Sequence, residues 1–296
     1  MPPGGISLIP RSDILSYEEI HAIVSVAAEL GITKVRLTGG EPLVRLELTR
    51  LIAMLAGVRG IDDISMTTNG VLLSKYAREL KEAGLGRVNI SLDSLRGDRF
   101  QRITGQDRLR DVLDGIEKAR EVGLRPVKIN MVVIRGLNDD EILDFARVTT
   151  SEGWHVRFIE LMPFLTRDAA LQFVPVSEIR ERILGLGSLE PCLPSAGNGP
   201  ARYFRLPGAR GTIGFIGPIS DHFCVDCNRL RLTSDGRLRP CLLSDGEVDL
   251  RKPLREGASP EELKRLIREA VRRKPERHYL AEGTVPSGMA MVRIGG

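Results

Sequence analysis

Between Ser16 and Leu161 the sequence passes five times from a run with helical spacing of apolar residues to a short strand-type run. SYEEIHAIVSVAAELGI precedes TKVRLTGG, LELTRLIAMLAGV precedes DISMTTNG, and LLSKYARELKEAGL precedes RVNISLDS. RLRDVLDGIEKAREVGL then precedes RPVKINMVVI, and DEILDFARVTTSEG precedes HVRFIELMP. Few architectures accept such a series. Strands separated by a crossover helix pair in parallel, so the pattern predicts an α/β fold built on a parallel sheet or barrel. Ser16, with Glu19 three residues on, is a capping box that marks the first helix start. The series opens on a helix, so its first βα unit lacks a strand.

After Pro163 the pattern changes. TRDAALQFVPVSEIRERIL carries one helix, and a Gly- and Pro-rich stretch with ARYFRL and GTIGFIG follows. A cysteine-rich segment, FCVDCNRLRLTSDGRLRPC, precedes a last helix, PEELKRLIREAVRRK, and the chain ends MAMVRIGG. We expect two domains, 1–165 and 166–296, the second an α+β extension. The formal net charge of +4 is mild and does not point to nucleic acid. No apolar run reaches the roughly 18 residues of a membrane span. MPPGGISLIPRSD lacks a charged-then-apolar signal pattern. The expected compartment is the reducing cytoplasm, where clustered cysteines bind metal more often than they pair.

In parallel α/β sheets ligands bind at the carboxyl ends of the strands. Those ends read Thr38-Gly39-Gly40-Glu41-Pro42, Thr67-Thr68-Asn69-Gly70 and Ser91-Leu92-Asp93-Ser94, then Lys128 with Asn130, then Arg157, Glu160 and Met162. Singly, Gly, Asn, Asp and Ser at a strand end are ordinary turn residues. Five polar ends in succession predict a ligand rim. Lys128 and Arg157 stand out, because a cation inside a buried strand needs a partner.

Three of the four cysteines, Cys224, Cys227 and Cys241, have the spacing C-x2-C-x13-C. Structural zinc takes four closed ligands, and the fourth here would be His222 or Cys192, neither at a usual spacing. Three thiolates also suit a 4Fe-4S cluster with one open iron. Spacing leaves both open. Arg229 and Arg231 face the same way if their segment is extended, a forked clamp for phosphate oxygens. Arg268, Arg272, Arg273 and Lys274 read as a solvated helix face, and Cys192 as a lone buried thiol.

LTGGEP, TTNG, NISLDS, VKIN, RFIE, FCVDCNRLRLT and the terminal Gly-Gly, in that order, resemble the GTP 3′,8-cyclase family of molybdenum cofactor biosynthesis, within the radical S-adenosylmethionine class. The resemblance runs from residue 1 to 296. It implies a three-quarter, six-unit parallel β/α barrel with the first strand missing. It implies that Gly40, Ser91 and Met162 hold S-adenosylmethionine. Arg36, Thr67 and Lys128 would contact GTP, as would Arg229, Leu230, Arg231 and the tail residues Gly295 and Gly296. Cys224, Cys227 and Cys241 would hold an auxiliary 4Fe-4S cluster whose open iron takes the guanine. The family's chemistry is radical cyclisation of GTP to (8S)-3′,8-cyclo-7,8-dihydroguanosine 5′-triphosphate, and no side chain is assigned as catalytic. Implied partners are a reductant, a downstream cyclic pyranopterin monophosphate synthase and a second copy in a homodimer, with no nucleic acid and no membrane.

The family holds a first cluster by C-x3-C-x2-C, with a basic residue ahead of it, and here no cysteine precedes Cys192. The chain opens Met1-Pro2-Pro3-Gly4-Gly5, residues of the kind that follow that motif. We expect a start placed at an internal methionine, with the second 4Fe-4S cluster confined to a full-length form. The alternatives are a truncated, non-catalytic nucleotide- and cluster-binding relative, or a different radical enzyme acting on a peptide. As written, the chain is not expected to cleave S-adenosylmethionine.

Overall fold

The structure is a computed structural model and describes residues 9–162, 171–194, 196–197 and 199–278. In chain order its main elements begin α1 (Tyr17–Glu29), β1 (Lys34–Leu37), α2 (Leu48–Ala56), β2 (Asp63–Thr68), α3 (Leu73–Glu82) and β3 (Arg87–Ser91). Next come α4 (Gly97–Thr104), α5 (Leu109–Glu121), β4 (Val127–Val133), α6 (Ile142–Ser151), β5 (His155–Glu160) and α7 (Val176–Leu184). The chain continues through β6 (Glu190–Pro191), β7 (Arg202–Arg205), β8 (Thr212–Ile216), β9 (Arg231–Leu232), β10 (Arg237–Arg239) and β11 (Val248–Asp249). It closes with α8 (Arg251–Arg255) and α9 (Pro260–Arg272). Among the described residues, those of 9–65, 82–85 and 227–278 form one compact unit, and those of 66–81 and 86–226 a second.

In the first unit α1 starts at the expected capping box: Glu19 N donates to Ser16 Oγ at 3.1 Å, and Ser16 N to Glu19 Oε2 at 2.7 Å. α9 starts in a related way, with Pro260 in its first turn and Glu262 N donating to Ser259 Oγ at 3.2 Å. The apolar stripes of α1 and α9 meet over Leu15, Ile23, Val26, Leu263, Ile267 and Ala270. Leu238, Val248 and Leu250 complete that core from the small antiparallel sheet β11-β10-β9. Each Leu, Ile or Val side chain among them, fully buried, contributes about 1.5–3 kcal/mol. β1 runs beside the start of β2.

The second unit is built on a sheet of order β2-β3-β4-β5-β8-β7-β6. The pairs β3–β4, β4–β5 and β5–β8 are parallel, and β7 pairs antiparallel with both β8 and β6. The chain therefore has the mostly parallel α/β architecture that its alternating pattern predicts. Past residue 165 the sheet continues: GTIGFIG becomes β8, parallel to β5. One face of this sheet is apolar. Val88, Ile90, Ile129, Met131, Val156, Phe158, Ile213 and Phe215 are buried on it, as are Val112 and Ile116 of α5, Phe145 of α6 and Ile179 of α7. At Gly115 a Cβ would stand 2.6 Å from the Gly70 carbonyl oxygen, so glycine is what lets α5 cross the turn after β2. The short α4 escaped the sequence reading because a single apolar residue, Phe100, anchors it.

Candidate functional site

Alternation puts the other half of each strand on the opposite face, and there the sequence turns polar. Strand register aligns Asn89, Lys128, His155 and Thr212 in one row, and Ser91, Asn130, Arg157, Gly214 and Tyr203 in the next. Arg87 precedes Asn89 by two and shares its face. Arg87, Lys128 and Arg157 are only 5%, 2% and 4% exposed. Neither row contains a carboxylate.

Neutral groups contact Lys128 and Arg157. Lys128 Nζ donates to the Ala196 carbonyl at 2.6 Å and to Tyr203 Oη at 3.3 Å, and lies 5.1 Å from the Tyr203 ring centroid. Arg157 Nη2 donates to Asn89 Oδ1 at 2.7 Å. Asn89 is oriented in turn by Nδ2 contacts to Met66 O at 3.3 Å and Thr67 Oγ1 at 3.4 Å. Burial pulls the Arg157 guanidinium below its ordinary pKa, and the adjoining Tyr203 hydroxyl opposes that fall. Gly214 makes room: a Cβ there would sit 3.0 Å from Arg157 Cγ and 3.1 Å from Tyr203 Cε1. Burial, then the charges of Lys128 and Arg205, bring the His155 imidazole down to about 4, so at neutral pH it adds no charge; its Nδ1 lies 3.0 Å from Thr212 Oγ1. Buried cations held by neutral partners retain their positive field, which favours an anion.

Several rim residues have structural work instead. Val132 N donates to Asp93 Oδ1 at 2.8 Å, and Asn138 Nδ2 to Asp93 O at 2.8 Å and Val132 O at 2.9 Å. Burial raises the Asp93 carboxyl to about 6, against the hydrogen bond from Val132. Glu160 accepts from the backbone of Val176 at 2.8 Å, Ile219 at 2.9 Å and Ser220 at 3.0 Å, bracing two loops. Buried Glu141 accepts from Ser94 Oγ at 2.6 Å, Leu95 N at 2.7 Å and Arg99 Nη1 at 2.7 Å.

The first unit brings Cys227 and Cys241 to the approaches of β9 and β10. Arg231 and Arg239 are register partners there. Burial pulls Arg231 down to about 10, the charge of Arg229 adds to this, and the thiolates of Cys227 and Cys241 oppose it. Burial pushes the Cys227 thiol up, yet Arg229 and then Lys274 bring it down to about 7. Leu243 N lies 3.3 Å from Cys241 Sγ. Sulfurs so supplied with N–H donors and positive charge suit an anionic metal–sulfur group. Arg237 takes no part: it pairs with Glu247 at 3.5 Å and Asp249 at 3.9 Å.

Of the residues singled out in the sequence, Thr67, Ser91, Lys128, Met162 and Cys224 lie in the second unit, and Arg36, Gly40, Cys227, Arg229, Leu230, Arg231 and Cys241 in the first. Arg36 Nε donates to Ser65 Oγ at 3.4 Å, and Gly40 is exposed in the turn after β1. Ser91 is exposed at the end of β3, while Leu230 packs against the α1–α9 core. Gly295 and Gly296 lie outside the described residues. Cys192 is half-buried, and burial raises its thiol. Sequence reasoning missed Arg87, Asn89, His155 and Tyr203. For the first three the signal was present as polar residues at every second position of RVNIS and HVRF, strands that flank VKIN; Tyr203 lies in none of these stretches.

Comparison with known proteins agrees with this architecture. Residues 4–148 match the Radical SAM superfamily profile, and residues 154–280 the profile Molybdenum Cofactor Synthesis C. The chain is 52% identical to the GTP 3′,8-cyclase of Moorella thermoacetica, over 100% of this chain and 92% of that one. It is 51% identical to the GTP 3′,8-cyclase of Pelotomaculum thermopropionicum, over 96% and 88%, and 50% identical to that of Thermodesulfovibrio yellowstonii, over 100% and 92%. With buried cations on one face of a parallel sheet, thiolates beside arginines, and half its residues shared with these enzymes across its length, the chain belongs to the GTP 3′,8-cyclase family.

Proposed function

We propose that this chain binds GTP and acts in its 3′,8-cyclisation, the first step of molybdenum cofactor biosynthesis, as a lyase of the radical class. The observation that carries this reading is the pair of buried cations, Lys128 and Arg157, each contacted by neutral groups in strand rows that hold no carboxylate. Such a face attracts a polyanion, and its low dielectric strengthens the attraction.

In this reading Lys128 and Arg157 hold phosphate oxygens, with Asn89 and Tyr203 fixing where the cations point. Arg36 and Thr67 add contacts to the nucleotide, as do Arg229, Leu230, Arg231, Gly295 and Gly296. Gly40, Ser91 and Met162 hold S-adenosylmethionine, and Cys224, Cys227 and Cys241 the auxiliary 4Fe-4S cluster. When bound, these groups supply the radical chemistry and an iron for the purine; the side chains supply orientation, charge and exclusion of water. The C-x3-C-x2-C set is not among the residues of this sequence, so a second cluster enters the reading only for a longer form. The division at residue 165, the cytoplasmic location, the homodimer, the reductant and the downstream synthase belong to the same proposal.

Anaerobic calorimetric titration with GTP tests it. Lys128→Met and Arg157→Leu are each expected to weaken binding at least about tenfold, or ~1.4 kcal/mol, with the helical circular dichroism unchanged. GTP affinity unaltered in both folded variants would refute the assignment of this face.

A further inference from the structure

Lys274 was expected on a solvated helix face, and the structure puts it elsewhere. It lies two residues past the end of α9, and its ammonium turns back into the first unit. Nζ donates to the Arg229 carbonyl at 2.8 Å, to the Pro240 carbonyl at 2.9 Å and toward Cys227 Sγ at 3.5 Å. A lysine has three N–H donors, and all three are engaged. Neighbouring Arg273 turns away, to Glu269 and to the Glu247 carbonyl at 3.4 Å. Lys274 thus uses none of its donors on the terminal carbonyls of α9, which would be the ordinary role of a lysine at a helix end.

The three acceptors have a shared logic. Arg229 is two residues after Cys227, and Pro240 is the residue before Cys241. One ammonium therefore ties together the two backbone segments that carry these thiols. Two carbonyl oxygens and a sulfur converging on one point repel each other, and a cation at that point reverses the sign. We propose that Lys274 is a positioning residue for the auxiliary cluster: it fixes the separation of Cys227 and Cys241 and donates a hydrogen bond to a ligand sulfur. Groups behind a metal's direct ligands commonly orient them, and hydrogen bonds to sulfur together with nearby charge set a cluster's potential. The inference rests on the cluster assignment above.

The test is anaerobic reconstitution of the whole chain with iron and sulfide. Wild-type protein is expected to take up about four irons per chain. Lys274→Met should load several-fold less iron, and the cluster that does form should have a lower reduction potential, since a positive charge beside it is gone. Lys274→Arg, which keeps the charge and the donors, should restore loading. A purely structural lysine would alter melting without moving the potential of the loaded fraction. Should the methionine variant not fold, wild-type protein labelled with 15N-lysine decides: hyperfine spectroscopy of its reduced cluster should detect a lysine nitrogen. No iron uptake by the wild type sinks the cluster assignment itself. Normal uptake, with unchanged potential in Lys274→Met or no lysine nitrogen coupled to the cluster, overturns the role given to Lys274.

Discussion

Replacing Asp93 with asparagine should make the second unit progressively more stable, relative to the wild type, as pH rises from acid to neutral. Burial raises the Asp93 carboxyl from 3.8 to about 6. The folded state therefore holds its proton more tightly than the unfolded chain does. Below pH 3.8 both states are protonated and the full contribution to stability is present. Between 3.8 and about 6 the unfolded chain has lost its proton while the folded one keeps it, so stability falls as pH rises. Above about 6 both are ionised, and the folded state has lost about 3 kcal/mol, since a tenfold difference in proton affinity is worth roughly 1.36 kcal/mol. Asparagine cannot ionise, and its Oδ1 can still accept from Val132 N. Its amide adds N–H groups that want partners, an offset independent of pH. The quantity to read is thus the change with pH in the stability difference between variant and wild type. The single tryptophan, Trp154, is 8% exposed at the start of β5 in the same unit, so its fluorescence reports the right unfolding event. Urea titrations at several values between about pH 4 and 7.5 should show the variant gaining about 2–3 kcal/mol on the wild type across that range. A difference that stays flat, or moves the other way, would show that the Asp93 carboxyl is not desolvated.

Three further substitutions probe packing and the cation face. Gly115→Ala puts a Cβ 2.6 Å from the Gly70 carbonyl oxygen, and overpacking of about 1–3 kcal/mol should outweigh the ~1 kcal/mol gain in helix propensity. Gly97→Ala, with nothing within 4 Å of its Cβ, should be neutral or stabilising, and thermal melts of both check the contrast. Tyr203→Phe keeps the ring beside Lys128 but removes its hydroxyl acceptor, and should destabilise by roughly 1–3 kcal/mol. Combined with Lys128→Met the two losses should fall short of additive in a double-mutant cycle, whereas full additivity would mean that the two side chains are not coupled.

Much of the fold was legible because helix and strand periods alternate so regularly from Ser16 to Leu161. GTIGFIG shows where that legibility ends. Its apolar run marks a strand, but nothing local says that it pairs with the distant β5 as well as with its chain neighbour β7. The strands β9, β10 and β11 span two or three residues each, too short to show a period. Lys128 and Arg157 stood out because a cation in an apolar strand is costly. Tyr203 and Asn89 did not, because each can pack or turn without a ligand, and only cross-strand register puts them beside the cations. Lys274 was misjudged for a related reason: a lysine after a basic helix end looks solvated until its long stem is seen to fold back. Asp93 and Glu160 looked like ligand groups and instead hold loops, since a carboxylate serves backbone N–H groups as readily as it serves a substrate.

The two polar rows share their strands with the apolar face, and that limits how such a chain can change. Adding or removing one residue within β4 would swing Lys128 and Asn130 toward the helices and turn Ile129 and Met131 outward, so core and ligand chemistry would fail together. Side-chain identity in these rows can drift by single substitutions, but strand length is locked. New specificity in this scaffold has to arrive by exchanging one residue for another in place, or through the connections beyond the strand ends, where an insertion disturbs neither face.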